Sequence, residues 1–308
     1  SPTFTPMLYY PSKLLLFGEH ILLLGARALA VPVAAFGGQW AWRRGAADAG
    51  DALAQRLEAF AASAELADID GLDTARFKEE LRAGLYFESN IPMGYGLGSS
   101  GALCAAVYDR YVEPKTTDLA VLKQLFARME SFFHGRSSGI DPLTSYLNRP
   151  LLISNKTEVQ FFESQPWPTA APVVFLIDSR QPRQTGPLVQ WFLERSREPA
   201  FHRLLETELL PAHEALLDAW QRGNPAGFWP ALHRVSSFQL EYFRPMVPEG
   251  MRGIWRLGLD GGRYLLKVCG AGGGGFVLGF APARDAVLES LSDFAPLFPF
   301  DQNGLVEK

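Results

Sequence analysis

The residues of this chain that could do chemistry gather in three glycine-framed segments. They read Lys13-Leu-Leu-Leu-Phe-Gly-Glu-His20, Ile91-Pro-Met-Gly-Tyr-Gly-Leu-Gly-Ser-Ser-Gly101 and Lys267-Val-Cys-Gly-Ala-Gly-Gly-Gly-Gly275. In the middle segment Gly94, Gly96 and Gly98 alternate. Ser99 and Ser100 follow, and the run Gly101–Tyr111 reads as a helix. Glycines let a backbone come close to an anion, and a helix start aims unpaired N–H groups and a partial positive charge at it. Two serine hydroxyls at that point can hold a phosphate oxygen or a metal ion. The expectation is a seat for the phosphates of a nucleotide.

Other readings of the loop are weaker. Glycine clusters often do no more than turn the chain. Gly96-Leu-Gly-Ser-Ser-Gly101 also spells the G-x-G-x-x-G string of dinucleotide-binding folds. Such a site wants an apolar strand running into the first glycine and an acid about 20 positions on. Pro92 interrupts the approach, and Asp109, Glu113 and Asp118 are poorly placed. The P-loop string, with Lys-Ser/Thr after its last glycine, is absent.

Taken together, the three segments resemble the GHMP kinase superfamily, and its mevalonate kinase branch most closely. That family's first motif runs Lys-x-x-Leu-Phe-Gly-Glu-His and is followed by an apolar Ala-Leu-Ala stretch, here within Gly25–Pro32. Its second is Pro-x-Gly-x-Gly-Leu-Gly-Ser-Ser, here Pro92–Ser100. Its third is Lys-x-Thr-Gly-Ala-Gly-Gly-Gly-Gly, here Lys267–Gly275 with Cys269 in the threonine position. A fourth stretch, Glu130-Ser-Phe-Phe-His-Gly-Arg-Ser-Ser-Gly-Ile-Asp141, is similar to the family's Glu…His-Gly-x-x-Ser-Gly-x-Asp, with the same spacing from Glu to Asp.

The resemblance implies an α+β, two-lobed GHMP kinase fold with its active site in the cleft between the lobes. It implies ATP and Mg²⁺, and phosphorylation of a small hydroxylated acid, mevalonate, in isoprenoid precursor synthesis. Another GHMP small-molecule kinase, for phosphomevalonate or a sugar, is the alternative; a non-catalytic nucleotide-binding regulator on the same fold is a further one. Gly94, Gly96, Gly98 and Ser99 would cradle the phosphates, with Ser100 and Glu130 as metal ligands. Hard cations take oxygen ligands, and Mg²⁺ takes few from protein because it keeps waters. Asp141 would be the catalytic base, with Lys13 paired to it. Glu19 and His20 would lie beside the acceptor, and Arg183, in Ser179–Thr185, would meet its carboxylate. Gly270, Gly272 and Gly273 would close on the transferred phosphate. Cys269 removes a hydroxyl that the family places near the site.

Each residue also has a plainer role. Lys13 could snorkel from a strand. Glu130 could be a solvated helix-face acid, although near a helix C-terminus the dipole disfavours an anion and a cation partner would explain it better. Asp141, followed by Pro142, has the pattern of an N-cap with proline at the first helical position.

The elements that must position these residues follow from periodicity and breakers. Leu8–Tyr10, Lys13–Phe17, Ala28–Val33 and Gln39–Arg43 read as strands, and Leu85–Ile91 as the strand entering the middle loop. Asp51–Glu65 reads as a helix. So does Thr117–Phe133, whose apolar residues recur at i, i+3 and i+4, with Thr116 or Thr117 as cap. Leu151–Phe162 suggests a hairpin and Gln165–Pro172 a linker. Val173–Asp178 is an apolar strand. Pro187–Arg195, Ala200–Gln221 and Pro225–Phe243 are helices, and Leu265–Val268 and Phe276–Phe280 strands flank the third loop. Two lobes are expected, residues 1–168 and 169–308.

A chain of 308 residues with 47% hydrophobic residues can bury a large core. Its net charge of −4 gives no basic face for nucleic acid. Cys104 and Cys269 do not form a disulfide framework, so a reducing, cytoplasmic setting is expected. No apolar run approaches 18 residues, and Ser1–Pro6 lacks the charge pattern of a signal peptide, so no membrane partner is expected. A homodimer is compatible with the chain.

Overall fold

The computed structural model describes residues 9–43, 51–183 and 185–300. They form two compact units, each assembled from separated stretches of chain. The first takes the described residues of 1–13, 31–92 and 97–149; the second takes 14–30, 93–96 and those of 150–308. The fold is α+β.

Strand β1 (Tyr10–Phe17) follows strict alternation near its centre. Leu14 and Leu16 are buried, whereas Lys13 and Leu15 are partly exposed. Of the expected strand at Leu8–Tyr10, Leu8 lies outside the described residues. After a 3-10 turn at Ile21–Leu24 comes β2 (Ala28–Trp42), one strand where two were expected. Pairing with its neighbour carries it through the glycines, since Gly38 lies opposite Ser89 and Trp40 opposite Phe87. The expected helix at Asp51–Glu65 is two pieces, α1 (Ala52–Ala61) and α2 (Ala64–Ala67). Ser63, in extended backbone, separates them. Then follow α3 (Thr74–Arg82), β3 (Leu85–Ser89) and α4 (Ser99–Tyr111).

Helix α4 is the centre of the first unit, buried without interruption from Gly101 to Tyr108. Its Gly-Ala-Leu-Cys-Ala-Ala sequence is small enough for neighbours to pack closely. Helix α5 (Leu119–His134) is amphipathic and buries Leu122, Phe126, Met129 and Glu130. Its cap is Asp118, which accepts from Ala120 and Val121 N–H at 2.8 and 3.1 Å, rather than Thr116 or Thr117. Helix α6 (Ile140–Leu147) completes the unit. Tyr108, Phe126 and Tyr146 bring α4, α5 and α6 together at 5.0–5.6 Å between rings.

In the second unit, β4 (Leu151–Ser154) and β5 (Glu158–Phe161) form the expected hairpin, and β4 pairs with Ala28–Ala30. The linker at Gln165–Pro172 has no helix or strand, but Trp167 is anchored on Trp220 and Phe228 at 5.6 Å. Strand β6 (Val173–Asp178) is followed by α7 (Thr185–Arg195), α8 (Pro199–Leu204), α9 (Leu210–Gln221) and α10 (Pro225–Tyr242). The expected single helix Ala200–Gln221 carries a π turn at Leu205–Leu209. Pro211 has no N–H to give and crowds the carbonyl four residues back, which the wider turn relieves. Helix α11 (Arg252–Gly261), β7 (Leu265–Val268), β8 (Phe276–Ala281) and α12 (Arg284–Leu291) complete the chain.

Strands β6, β8 and β7 form an antiparallel sheet in that order, and the third glycine segment is the loop from β7 to β8. Phe17, Trp220, Phe228 and Phe280 form an aromatic core under it, with ring centroids 5.4–6.0 Å apart. Among the described residues, no helix is long and apolar enough to cross a membrane.

Candidate active site

The sequence-predicted site residues fall into two clusters, one in each unit. In the first unit, Lys13 Nζ lies 2.6 Å from Asp141 Oδ1, with the two side chains 11% and 28% exposed. The alternation of β1 points Lys13 away from the face that buries Leu14. Helix α6 begins at its N-cap Gly139, so Asp141 lies in its first turn and is not the cap. The Asp-Pro pattern misleads here because Gly139, in the left-handed conformation, is the N-cap and the helix starts two residues earlier. A carboxylate in a first helical turn is favoured by the helix dipole.

Helix α4 starts beside this pair. Its N-cap is Gly98, at φ 74°, and no side chain caps it. The first N–H groups of α4 therefore have no partner within the helix. A Cβ on Gly98 would lie 3.4 Å from Asp141 Oδ2, and one on Gly101 only 2.9 Å from Asp141 Cβ. Glycine at 101 is what lets α4 and the start of α6 approach, which sets Asp141 next to the anion-seeking end of α4.

The third element of this cluster is Glu130, 4% exposed. Ser100 Oγ donates to its Oε1 at 2.8 Å, and Ser137 Oγ donates to Oε2. Having donated its proton, Ser100 accepts from His134 Nε2–H at 2.9 Å. Burial and the neighbouring Asp141 charge push the Glu130 carboxyl up to about 7, against the pull of Ser137, Ser100 and Lys13. A buried carboxyl beside a second carboxylate is a place short of positive charge. Lys13, Asp141, Ser99, Ser100, Gly98 and Glu130 are thus brought together.

In the second unit, Glu19 and His20 are buried at 4% and 5%. Glu19 is paired with Lys267, whose side chain is 1% exposed. Lys267 also donates to the Val268 carbonyl at 3.1 Å and lies 5.9 Å over the Phe17 ring. Gln239 Oε1 accepts from Val268 N–H at 2.8 Å. Burial raises the Glu19 carboxyl, and Lys267 opposes this. His20 has φ 62°, unusual for a residue with a Cβ. It is held by donating Nε2–H to the Ala271 carbonyl at 2.9 Å and by Phe192 and Phe243. Burial lowers it to about 4, so it is neutral at physiological pH. Both side chains of the Gly-Glu-His motif are engaged with the protein, and both brace the third glycine loop.

That loop is itself braced. The N–H groups of Gly272, Gly273 and Gly275 go to the carbonyls of Cys269, Met246 and Gln181 at 2.7–3.1 Å. Gly270, Gly272, Gly273 and Gly275 all have positive φ. Arg183 lies across two glycine segments. Nη1 donates to the Tyr95 carbonyl at 3.2 Å, and Nε donates to Thr185 Oγ1 at 3.1 Å. A Cβ on Gly96 would collide with its guanidinium, and one on Gly270 would lie 2.8 Å from Nη1. Gly94 and Gly96 belong to this cluster with Tyr95 between them.

Sequence reasoning missed Ser137, Lys267 as the partner of Glu19, and the Tyr95–Asp178 contact at 3.0 Å. A signal existed for Lys267, because a lysine inside an apolar strand needs an acid. Nothing in the pattern pointed to Ser137.

Residues 56–149 match the family of GHMP kinases, N terminal domain. A mevalonate kinase of Archaeoglobus fulgidus is 25% identical over 288 residues, covering 87% of this chain and 90% of the relative. Among solved structures, L. major mevalonate kinase in complex with R-mevalonate has a TM-score of 0.68 at 16% identity, covering 99% of this chain and 96% of that one. Streptococcus pneumoniae phosphomevalonate kinase, in complex with phosphomevalonate and AMPPNP, has a TM-score of 0.62 at 14% identity, covering 96% and 99%.

Proposed function

We propose that this chain, which carries the N-terminal domain of the GHMP kinases, transfers the γ-phosphoryl group of ATP to the hydroxyl of mevalonate. The observation that carries the reading is the Lys13–Asp141 pair at 2.6 Å, set beside the uncapped start of α4. A phosphoryl transfer asks for held phosphates, neutralised charge and an oriented acceptor hydroxyl. The segment Gly94–Ser99 and the first N–H groups of α4 hold the phosphates. Asp141 takes the proton of the acceptor hydroxyl as its oxygen bonds to the γ-phosphorus. The bond from that phosphorus to the bridging oxygen breaks, and ADP leaves with the electron pair. Lys13, held against Asp141, orients the carboxylate and stabilises the developing alkoxide. Arg183 offers a guanidinium for the acceptor's carboxylate.

The donor set suits Mg²⁺. Ser100 Oγ and Glu130 Oε1 are 2.8 Å apart, so one ion can touch both, and both are hard oxygen donors. When bound, the ion would neutralise charge on the phosphates.

A pH dependence follows. A carboxyl near 7 is about half protonated at pH 7, and only the ionised form binds a cation. Mg²⁺ binding should therefore release about half a proton at pH 7. Its affinity should rise as pH increases from 6 to 8. Calorimetry in buffers of different ionisation enthalpy reads the released protons. Glu130→Gln should abolish the release and raise the Mg²⁺ needed for half-activity. Unchanged Mg²⁺ dependence in that variant removes the metal-ligand role.

The test of the function is ADP release with MgATP over an acceptor panel. Mevalonate should exceed phosphomevalonate, galactose and homoserine in kcat/KM. A tenfold preference for another acceptor replaces the substrate and leaves the kinase class. No ADP release with any acceptor overturns the reading.

A further inference from the structure

We infer that Tyr95 is a positioning residue, which locks the phosphate-holding loop to the end of the β6–β8 ribbon before nucleotide arrives. The inference rests on the kinase reading given above. In Met93-Gly-Tyr-Gly96 the tyrosine stands between two glycines, at φ 78° and 74°. Such a segment has little stiffness of its own, and ordering it costs conformational entropy. Met93 is 79% exposed, and a Cβ on Gly94 would meet nothing within 4 Å. Tyr95 is where the loop is gripped.

The grip has three parts. The ring lies edge-on to Phe276 at 4.7 Å. The hydroxyl donates to the Asp178 carboxylate, at 3.0 Å to Oδ1 and 3.2 Å to Oδ2. The Tyr95 carbonyl accepts from Arg183 Nη1 at 3.2 Å. Phe276 and Asp178 are directly opposed in the β6–β8 register, so one side chain keys onto one cross-strand pair. Asp178 is fixed in turn, because its Oδ1 also accepts from Arg180 N–H at 2.8 Å. The third glycine loop joins the same frame through Ser179 N–H to the Gly275 carbonyl and Gly275 N–H to the Gln181 carbonyl, both 2.9 Å. The Cβ position of Gly275 is 3.3 Å from Tyr95 Cα. Two glycine segments named as phosphate holders are thus held at fixed spacing through one tyrosine. Ordering the loop at folding removes that cost from nucleotide binding. A hydrogen bond to a carboxylate is among the stronger ones.

Tyr95→Phe keeps the ring on Phe276 and deletes only the hydroxyl. Amide exchange of the ligand-free protein over 93–98 should become faster. The Kd for MgATP, and for a non-hydrolysable analogue, should weaken about tenfold. Acceptor KM and kcat at saturating ATP should change by less than the nucleotide Kd does, and the fall in melting temperature should be small. Asp178→Asn keeps an acceptor oxygen and should fall between the two. The double variant should be no weaker than Tyr95→Phe alone, because both remove one bond. A merely structural residue would shift melting temperature and all kinetic constants together. Unchanged exchange over 93–98, or faster exchange with unchanged nucleotide Kd, overturns the proposal. If the unmodified protein binds no MgATP, the kinase reading fails instead, and the exchange comparison still decides whether the lock exists.

Discussion

Asp141→Asn should lower kcat by roughly 10²–10⁴ while the protein stays folded. Asparagine is nearly the same size, so the close approach of Gly98 and Gly101 to this side chain is preserved. Helix α6 keeps its start, because Gly139 and not Asp141 is the N-cap. What is lost is the negative charge, the ion pair with Lys13 and the proton acceptor. The pair is partly exposed, and its stability contribution is about 1 kcal/mol. KM for ATP should change little. One further effect separates this reading from general damage. The Asp141 charge helps to hold Glu130 near 7, so removing it should lower the Glu130 carboxyl. Mg²⁺ binding in Asp141→Asn should then be at least as tight as in the parent and release fewer protons at pH 7. Lys13→Met should lose a similar factor in kcat. The double variant should lose much less than the product, since the pair acts as a unit. Normal melting with near-normal kcat in Asp141→Asn would place the base elsewhere.

This pair shows how much of the site the sequence could tell. Lys13 and Asp141 are far apart along the chain, and no periodicity links them; the motifs in which each stands do. The same holds for Ser100 and Glu130. Local chemistry was legible where a residue type has a local job: the alternation around Leu14 and the glycines before α4; at α5 the apolar spacing found the helix, but Asp118 and not Thr116 or Thr117 caps it. It failed where a local pattern competes with a neighbour. Asp141-Pro142 looks like a helix start, but Gly139 starts the helix. Gly37 and Gly38 look like a break, but pairing with β3 keeps β2 continuous. Pro211 follows a wide turn within a helical run.

Three helices gave too little pattern to be read. Helix α3 buries only Phe77, α11 only Trp255 and Gly258, and α12 only Val287 and Leu291. One or two buried side chains make no stripe. Helix α5, with four buried positions at helical spacing, was read almost to its ends. A boundary at 168/169 divides the chain in sequence order. The compact units are defined in space, and β1 and β2 run through both. The family motif brought Glu19 and His20 to notice, but only the fold reveals that Lys267 and Ala271 take up their polar atoms.

Lys267→Met should be among the most destabilising single substitutions in the protein. Lys267 and Glu19 have side chains 1% and 3% exposed, with Phe17 packed against the ammonium. Removing one partner of a buried ion pair leaves the other charge uncompensated and costs about 3–5 kcal/mol. For a chain of this size that corresponds to a fall in melting temperature of roughly 5–8 °C. The effect should depend on pH. Without lysine, folded Glu19 must be protonated, so its folded pKa lies well above its unfolded value. Stability from such a group is present at pH below the unfolded value and is lost as pH rises through the folded one. Lys267→Met should therefore be less destabilised at pH 5 than at pH 8, relative to the parent at each pH. Glu19→Gln alone strands the ammonium and should also destabilise. The double variant Glu19→Gln, Lys267→Met buries no charge and should be more stable than either single variant. Its stability should also lose the steep pH dependence of Lys267→Met. The double variant should still lose activity, since the third glycine loop would be braced by one contact fewer. Thermal melts at the two pH values decide it: additive losses in the double variant, or no pH dependence in Lys267→Met, would mean that Glu19 finds another partner when the lysine is gone.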